Sequence, residues 1–339
     1  MARKLFVGFL EVMLIFTVVA YGGSASAQYR PGQFPIRIGM TVVGNHPTIH
    51  MAEFMKERLE AESNGAISVS LFPGGQLGGD EAMIDDVRLG TLDMVIGGTQ
   101  NAAPFVPSLQ VLTLFYLFED SDQLESVLTR GGPIFNYIQR KYEEYRLGLR
   151  LLSLSNGGRR NLYGRVPVHS LSDLAGVRMR VTASATENMV WSALGTLPIH
   201  LPFNEIYTGM QTGTIDFFDV TAASYLGNAL YEVAPYITLT THQFTITNVI
   251  FSEISFNRLP EEFQRLLESV AAEAGILGSR ITNEQDADVI DLLIREHGVT
   301  VFDEIDVSEF RVVVEPLWDD IIAASGGEEL FEIIMDQIN

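Results

Sequence analysis

An alternation of strand and helix patterns within residues 174–220 constrains the fold more than any other feature of the chain. Strands are predicted at Val177–Val181, Pro198–Leu201 and Ile215–Val220, with a helix at Asn204–Gln211 before the last of them. Strands that alternate with helices join side by side in one sheet, so the segment predicts a parallel α/β layer.

The same alternation appears near the start of the chain. Its predicted elements are strands at Ile36–Val42, Ile67–Leu71 and Leu92–Gly97, and helices at Pro47–Ser63 and Glu81–Leu89. In both layers a helix ends at a glycine and continues through a threonine into a strand, at residues 90–91 and 213–214. The repetition predicts two lobes built on one βα plan.

A long helix pattern follows at residues 260–297. Apolar residues recur there at helical spacing, with Pro260 as a start signal and Gly298 as a stop signal. An unbroken helix would be about 57 Å long at 1.5 Å per residue, which exceeds the size of one lobe. One helix, or a pair kinked near Gly275–Gly278, is therefore predicted to cross both lobes and to leave a cleft on the other side.

Two arginines are the candidate ligand-binding residues that the pattern itself suggests. Arg180 lies on the first strand of the 174–220 layer, and Arg160 follows the turn Asn156-Gly157-Gly158. A guanidinium is always charged and matches a carboxylate with two parallel hydrogen bonds. If Arg160 and Arg180 project from neighbouring strands, they bracket one small organic anion.

Composition and missing motifs argue against other functions. The chain has 22 Lys and Arg against 43 Asp and Glu, and no Cys, so we expect no nucleic-acid partner and no thiolate chemistry. The glycine-rich loop at 73–79 lacks the ending of a phosphate-binding loop. His46 and His50 have no third ligand nearby, so no metal and no cofactor are predicted. No catalytic motif is present, although an acid–base pair formed by distant residues stays open.

Residues 1–27 are predicted to be a signal peptide. Arg3 and Lys4 precede an apolar run, Leu5–Tyr21, and Ala25-Ser26-Ala27 forms a small-x-small cleavage site. The run is short for a membrane span of roughly 20 residues, so we favour cleavage near Ala27/Gln28 over an anchor. The expected product is exported to the periplasm.

Several motifs together resemble those of the solute-binding proteins of tripartite ATP-independent periplasmic (TRAP) transporters, over residues 36–335. The matching stretches are Gly75-Gln76-Leu77-Gly78, Arg88–Met94, Leu117-Phe118-Glu119-Asp120, Gly158-Arg159-Arg160, Asp173–Val181, Pro202–Tyr207 and Gln211-Thr212-Gly213. Their combination and order carry the resemblance.

The resemblance implies a two-lobed α/β periplasmic binding protein fold with a long helix crossing both lobes and a ligand cleft between them. Lobe I is expected at 34–157 plus about 246–285, and lobe II at 158–245 plus about 286–339. The implied protein is a receptor and not an enzyme. It captures a small organic anion, in the first place a carboxylate, by hinge closure and delivers it to the small and large integral-membrane subunits of a TRAP permease.

In this family the arginine at the position of Arg180 holds the ligand carboxylate, and the one at Arg160 assists it. The other ligand-binding residues are predicted to be Asp219, Phe203, Phe218, Asn101, Gln100, Thr99, His46 and Asn45. Asp219 is expected to accept a hydrogen bond from a ligand hydroxyl or ammonium, and the two phenylalanines to form apolar walls. The stretch Phe217–Val220 departs from the family, in which many members have Asn and others have Trp in place of Val220.

Two alternative functions remain at this stage. One is a receptor that presents its ligand to a membrane sensor, and the other is a periplasmic enzyme acting on an organic acid. The ligand class is also open, since dicarboxylates, keto or hydroxy acids, aromatic acids, sulfonates and zwitterionic osmolytes all suit a guanidinium site.

Overall fold

The computed structural model describes residues 29–338, so the predicted signal peptide lies outside the described residues. They form a mixed α/β fold around one nine-stranded sheet with the strand order β2-β1-β3-β8-β4-β7-β5-β6, and β9 pairs with β8. The strands are β1 Phe34–Gly39, β2 Ile67–Phe72, β3 Met94–Gly98, β4 Leu149–Gly164, β5 Arg178–Val181, β6 Leu197–His200, β7 Phe217–Thr221, β8 Tyr236–Ser252 and β9 Thr300–Phe302.

The sheet has a parallel half at each end and two long antiparallel strands in the middle. Strands β1, β2 and β3 pair in parallel, as do β5, β6 and β7. The long strands β4 and β8 pair with each other and connect the two halves. Both predicted parallel layers are therefore confirmed, and β4 and β8 are the crossing strands.

The pairing of β4 with β8 is irregular at the centre of the sheet. Register shifts occur between Leu151 and Ser153, between Asn156 and Arg159, and between Arg160 and Leu162. Such bulges bend a strand and redirect its side chains.

Twelve α-helices cover the sheet in the described part of the chain. They are α1 Pro47–Glu62, α2 Asp80–Leu89, α3 Ser121–Val127, α4 Pro133–Glu144, α5 Ala185–Ala193, α6 Ile206–Thr212, α7 Ala222–Gly227, α8 Glu253–Phe256, α9 Glu261–His297, α10 Val307–Val314, α11 Trp318–Ser325 and α12 Glu328–Ile338. The predicted helix at Asn204–Gln211 begins as a 3-10 turn at Phe203–Glu205 before α6.

Helix α9 is continuous over 37 residues, which decides between the two predicted forms. Gly275 and Gly278 do not interrupt it. A Cβ at Gly275 would lie 2.0 Å from Ser153 Oγ on β4, and one at Gly278 would lie 2.4 Å from Met51 Sδ on α1. The two glycines therefore let α9 lie directly on β4 and α1.

Three apolar clusters fill the interior. One joins β1–β3, α1 and the first half of α9, and another joins β7, α6, α7 and the end of α9. The third cluster includes residues of α2, α4, α5 and α10–α12. Helix α12 contacts α3 and α4, which the sequence assigned to the other lobe, so the lobe boundaries stay a prediction. No helix in 29–338 combines the length and apolar character that a membrane crossing requires.

Candidate functional site

The main cavity lies where the two halves of the sheet meet, and encloses about 570 Å³ when its open mouth is included. Most of its lining residues are polar, and six of them are threonines: Thr41, Thr48, Thr182, Thr221, Thr245 and Thr247. Six of the predicted ligand-binding residues also line it: Arg160, Arg180, Phe203, His46, Gln100 and Asn101.

Arg180 is a buried cation without an anionic partner among the described residues. The residue is 3% exposed, and its one hydrogen bond is from Nε to the Leu201 carbonyl oxygen, at 2.9 Å. Burial and the nearby Arg160 guanidinium lower the pKa of Arg180 to about 10, so it stays charged at neutral pH. Its two terminal nitrogens remain available to a carboxylate in the cavity.

Arg160, in contrast, is already paired. It is 3% exposed and contacts Asp219 Oδ2 through Nε at 2.9 Å and through Nη2 at 2.8 Å, and Nη2 lies 3.6 Å from Glu187 Oε1. Burial opposes its charge, but Asp219 and Glu187 more than offset this and raise the pKa of Arg160. Arg160 is therefore the cation of a buried ion-pair network with Asp219 and Glu187. The Arg160 residue also lines the cavity.

The two arginines do not lie on neighbouring strands, which was the condition under which the sequence predicted that they bracket one anion. Strand β7 separates them, since β5 with Arg180 pairs with one edge of β7 and β4 with Arg160 pairs with the other. Both side chains still reach the same cavity.

Asp219 requires a correction. It is fully buried and is absent from the cavity lining. Arg160 and the Nε2 atom of His242, at 3.0 Å, both bind its Oδ2 atom, while Oδ1 is buried without a hydrogen-bond partner among the described residues. Burial favours its neutral form, but Arg160 and His242 outweigh this and lower the pKa of Asp219. Asp219 fixes Arg160 in place, and in this arrangement it does not reach a ligand.

Three further predicted contacts are also displaced. Phe218 is fully buried and stacks on Tyr163 in the core, because it points away from the cleft along β7. Asn45 is exposed and bonds to His50 through Oδ1, at 2.6 Å. Thr99 is buried beside the cavity and does not line it. Phe218 therefore does not form the predicted apolar wall of the cavity.

Asp80 is the main residue of the cavity that sequence reasoning missed. It begins α2 after the glycine-rich loop, is 7% exposed, and accepts hydrogen bonds from Thr41 Oγ1 at 3.0 and 3.2 Å. Burial raises the pKa of Asp80 to about 6. An acidic residue in the first turn is common in exposed helices, so the sequence offered no sign that this one is buried.

This raised pKa predicts that stability depends on pH. Unfolded Asp80 ionises near pH 4 and folded Asp80 near pH 6, so the unfolded state loses its proton first and stability falls as pH rises through this window. Asp80→Asn removes the titrating carboxyl, and with it this dependence of stability on pH. We expect the variant to be more stable than the wild type at pH 7 by roughly 2 kcal/mol, with the difference shrinking toward pH 4. Urea unfolding of both proteins between pH 4 and 7 measures this, and a constant difference would contradict it.

Residues from the two halves of the fold meet across the cleft. His46, at the start of α1, accepts a hydrogen bond from the Thr48 amide through Nδ1, and its Nε2 lies 3.1 Å from Ser224 Oγ on α7. Burial lowers the pKa of His46 to about 3, so the imidazole is neutral. Gly44 and Gly227 lie against each other beside this contact, and a Cβ at Gly227 would be 2.6 Å from the Val43 carbonyl oxygen.

The fold and the cleft define a class of protein: a two-lobed α/β receptor with a buried, unpaired guanidinium facing a small cavity. Bacterial extracellular solute-binding protein family 7, DctP, matches residues 38–325, and the chain belongs to this family. It is a solute-binding protein of the TRAP type, as the motifs predicted.

Individual relatives support this assignment. The chain is 31% identical over 260 residues to the 2,3-diketo-L-gulonate-binding periplasmic protein YiaO of Escherichia coli (strain K12), a match that covers 76% of this chain and 78% of YiaO. The sugar acid binding protein DctPAm of Advenella mimigardefordensis, in complex with galactonate, has a TM-score of 0.85 at 25% identity, covering 91% of this chain and 98% of that one.

A further solved structure is similar over nearly its whole length. It is a TRAP periplasmic solute-binding protein from Xanthobacter autotrophicus PY2 with bound β-D-galacturonate. The TM-score is 0.82 at 26% identity, covering 89% of this chain and 99% of that one.

Proposed function

We propose that this receptor captures a hydroxylated monocarboxylate of the sugar-acid type. The observation that carries the proposal is the Arg180 guanidinium, which is buried in the cavity and forms no ion pair with any described residue, although the charges of Glu187, Asp219 and Asp80 act on it from further away. A buried charge without a partner is costly, so an anionic ligand gains the full benefit of pairing with it. Similar proteins that bind galactonate and β-D-galacturonate support this ligand class.

The rest of the cavity suits hydroxyl groups. Its threonines, Gln100 and Asn101 can each donate or accept, and the Asp80 carboxylate accepts a hydrogen bond from a ligand hydroxyl. Phe203 is the one aromatic side chain of the lining, and it provides an apolar surface for a ring or carbon chain. In this proposal Arg180 binds the carboxylate, Arg160 adds positive potential, and Asp80 selects for hydroxyls.

Capture proceeds by closing the cleft. The ligand would contact Asp80 and Asn101 on one side and Arg180 on the other, so it binds the closed form more tightly and shifts the population toward it. The closed form then presents the ligand to the membrane subunits of a TRAP permease. The mature receptor would begin near Gln28 and act in the periplasm.

Closure predicts a specific effect of Gly227→Ala. Because the added Cβ would lie 2.6 Å from the Val43 carbonyl oxygen, the two lobes cannot approach fully. Ligand affinity should fall about 10-fold, since the closed state becomes a minor population. Small-angle X-ray scattering should show a ligand-bound variant with a larger radius of gyration than the bound wild type. If the variant and the wild type had equal radii and equal affinity, the contact between Gly227 and Val43 would have no part in closing the cleft.

Isothermal titration calorimetry of the mature protein tests the ligand class. D-Galacturonate, D-glucuronate and D-galactonate should bind with one site per chain, and neutral D-galactose should bind at least about 100-fold more weakly because it has no carboxylate for Arg180. Succinate, which has no hydroxyl group, is the second control. Tight binding of succinate with no binding of the sugar acids would overturn the sugar-acid proposal.

The receptor role also requires that the ligand leave unchanged. A raised pKa such as that of Asp80 occurs at catalytic sites as well as at binding sites. Liquid chromatography with mass spectrometry of the sugar acid, after prolonged incubation with the protein, distinguishes a receptor from an enzyme. We expect the mass and retention time of the acid to be unaltered, and a new product would favour an enzyme.

A further inference from the structure

A second, smaller cavity lies behind the ligand cleft, between the crossing helix α9 and the centre of the sheet. Its interior is small, about 10 Å³, which is close to the space that one water-sized sphere needs. It is lined by Gly157 and Gly158 of β4, by Thr221 and Ala223 at the start of α7, and by Thr282, Gln285, Asp286 and Val289 of α9. The two cavities share the lining residues Gly157 and Thr221.

Two oxygen atoms of this cavity are buried without a hydrogen-bond partner in the described part of the chain. They are Oγ1 of Thr282, whose residue is 5% exposed, and Oε1 of Gln285. Buried polar atoms in folded proteins are almost always hydrogen-bonded, because an unmade bond leaves the cost of removing the atom from water uncompensated. Two such atoms beside one cavity indicate that it holds a bound species.

The third oxygen group is the carboxylate of Asp286. It makes no hydrogen bond and no ion pair with any residue between 29 and 338. Burial raises the pKa of Asp286, and the charge of Arg159 opposes this only in part. Arg159 itself stacks on the ring of Phe244, with 5.3 Å from its guanidinium carbon to the ring centroid.

We propose that this cavity binds a monovalent alkali cation, with Na⁺ as the natural occupant, through Thr282 Oγ1, Gln285 Oε1 and the Asp286 carboxylate. Hydroxyl, amide and carboxylate oxygens are ligands for hard cations. One carboxylate among neutral oxygens matches a single positive charge, whereas divalent ions are generally held by more acidic groups. The described residues contain no group of three or more His, Cys, Asp or Glu suited to such an ion.

The position of the site links it to ligand capture. Thr221, which lines both cavities, donates a hydrogen bond to Ser224 Oγ at 3.0 Å, and Ser224 in turn contacts His46 across the cleft. A cation beside Thr221 holds this chain of contacts in its closed arrangement. By linkage, the cation and the organic ligand should each raise the affinity for the other.

Thermal unfolding without any organic ligand tests the cation site independently of the proposed ligand. NaCl should raise the melting temperature of the wild type by about 2 °C over choline chloride at equal ionic strength. Asp286→Asn and Thr282→Val should each abolish this difference. Asp288→Asn, which removes an exposed carboxylate two residues along the same helix, should retain it.

Crystals soaked in a thallium(I) salt give a direct second readout. Anomalous density between Thr282, Gln285 and Asp286 is the expected result. The proposal is overturned if NaCl and choline chloride have the same effect on the wild type, if Asp286→Asn responds to NaCl as the wild type does, or if the cavity holds only an ordered water.

Discussion

Arg180→Met should abolish carboxylate binding while leaving the empty protein at least as stable as the wild type. Truncating one partner of a buried charge pair costs about 2–5 kcal/mol of binding free energy, so affinity should fall by at least about 30-fold. The empty protein loses a buried cation that has no anionic partner among the described residues, so unfolding in urea should need the same or a higher urea concentration. Calorimetry and urea unfolding of the same preparation measure both effects.

Arg178→Met is the matched control. Arg178 lies two residues earlier on β5, but its side chain is 43% exposed and it pairs with Asp216 at the surface. Loss of such an exposed pair costs about 0–1 kcal/mol of stability and should leave ligand affinity unchanged. If Arg178→Met weakened binding as much as Arg180→Met, the effect would come from net charge and not from a specific contact.

Asp219→Asn, unlike Arg180→Met, should destabilise the protein severely. The fully buried carboxylate holds Arg160 and His242, and breaking a buried ion pair by removing one partner costs about 3–5 kcal/mol. Asp216→Asn, three residues earlier in a partly exposed pair, should cost less than about 1 kcal/mol. Urea unfolding compares the two variants.

The Asp219 variant also separates two interpretations of this residue. If Asp219 positions Arg160, stability and affinity fall together, and Asp219→Glu restores part of both. If Asp219 contacts the ligand directly, as the sequence suggested, affinity falls with little change in stability. A stable Asp219→Asn protein with weak binding would therefore reverse the correction made from the structure.

The fold was predictable from sequence because its elements are local. The two parallel halves and the crossing helix follow from apolar periodicity and from glycine stops. The strands and helices that the sequence predicted there begin and end within a few residues of the observed ones. The choice between one helix and a kinked pair was not predictable. Glycines in a helix pattern are compatible with a break and with close packing, and the close neighbours here, Ser153 and Met51, are far from Gly275 and Gly278 in sequence.

The site was predictable only in part, for a related reason. Arg180, Arg160 and His46 could be chosen because their residue types or motifs are distinctive. Asp219 was misjudged because its partners, Arg160 and His242, are 59 and 23 residues away, and sequence does not show which carboxylate an arginine will pair with. Asp80 was missed because only burial distinguishes it from an ordinary residue of a first helical turn.

The irregular pairing of β4 with β8 has a consequence for how binding could evolve in this protein. The register shifts on either side of Arg160 place this cavity residue in the stretch where β4 departs from regular pairing with β8. A mutation that reshapes the cavity there also changes how the strand bends. A new specificity is therefore easier to reach through cavity residues outside this stretch, such as Asp80 or Phe203.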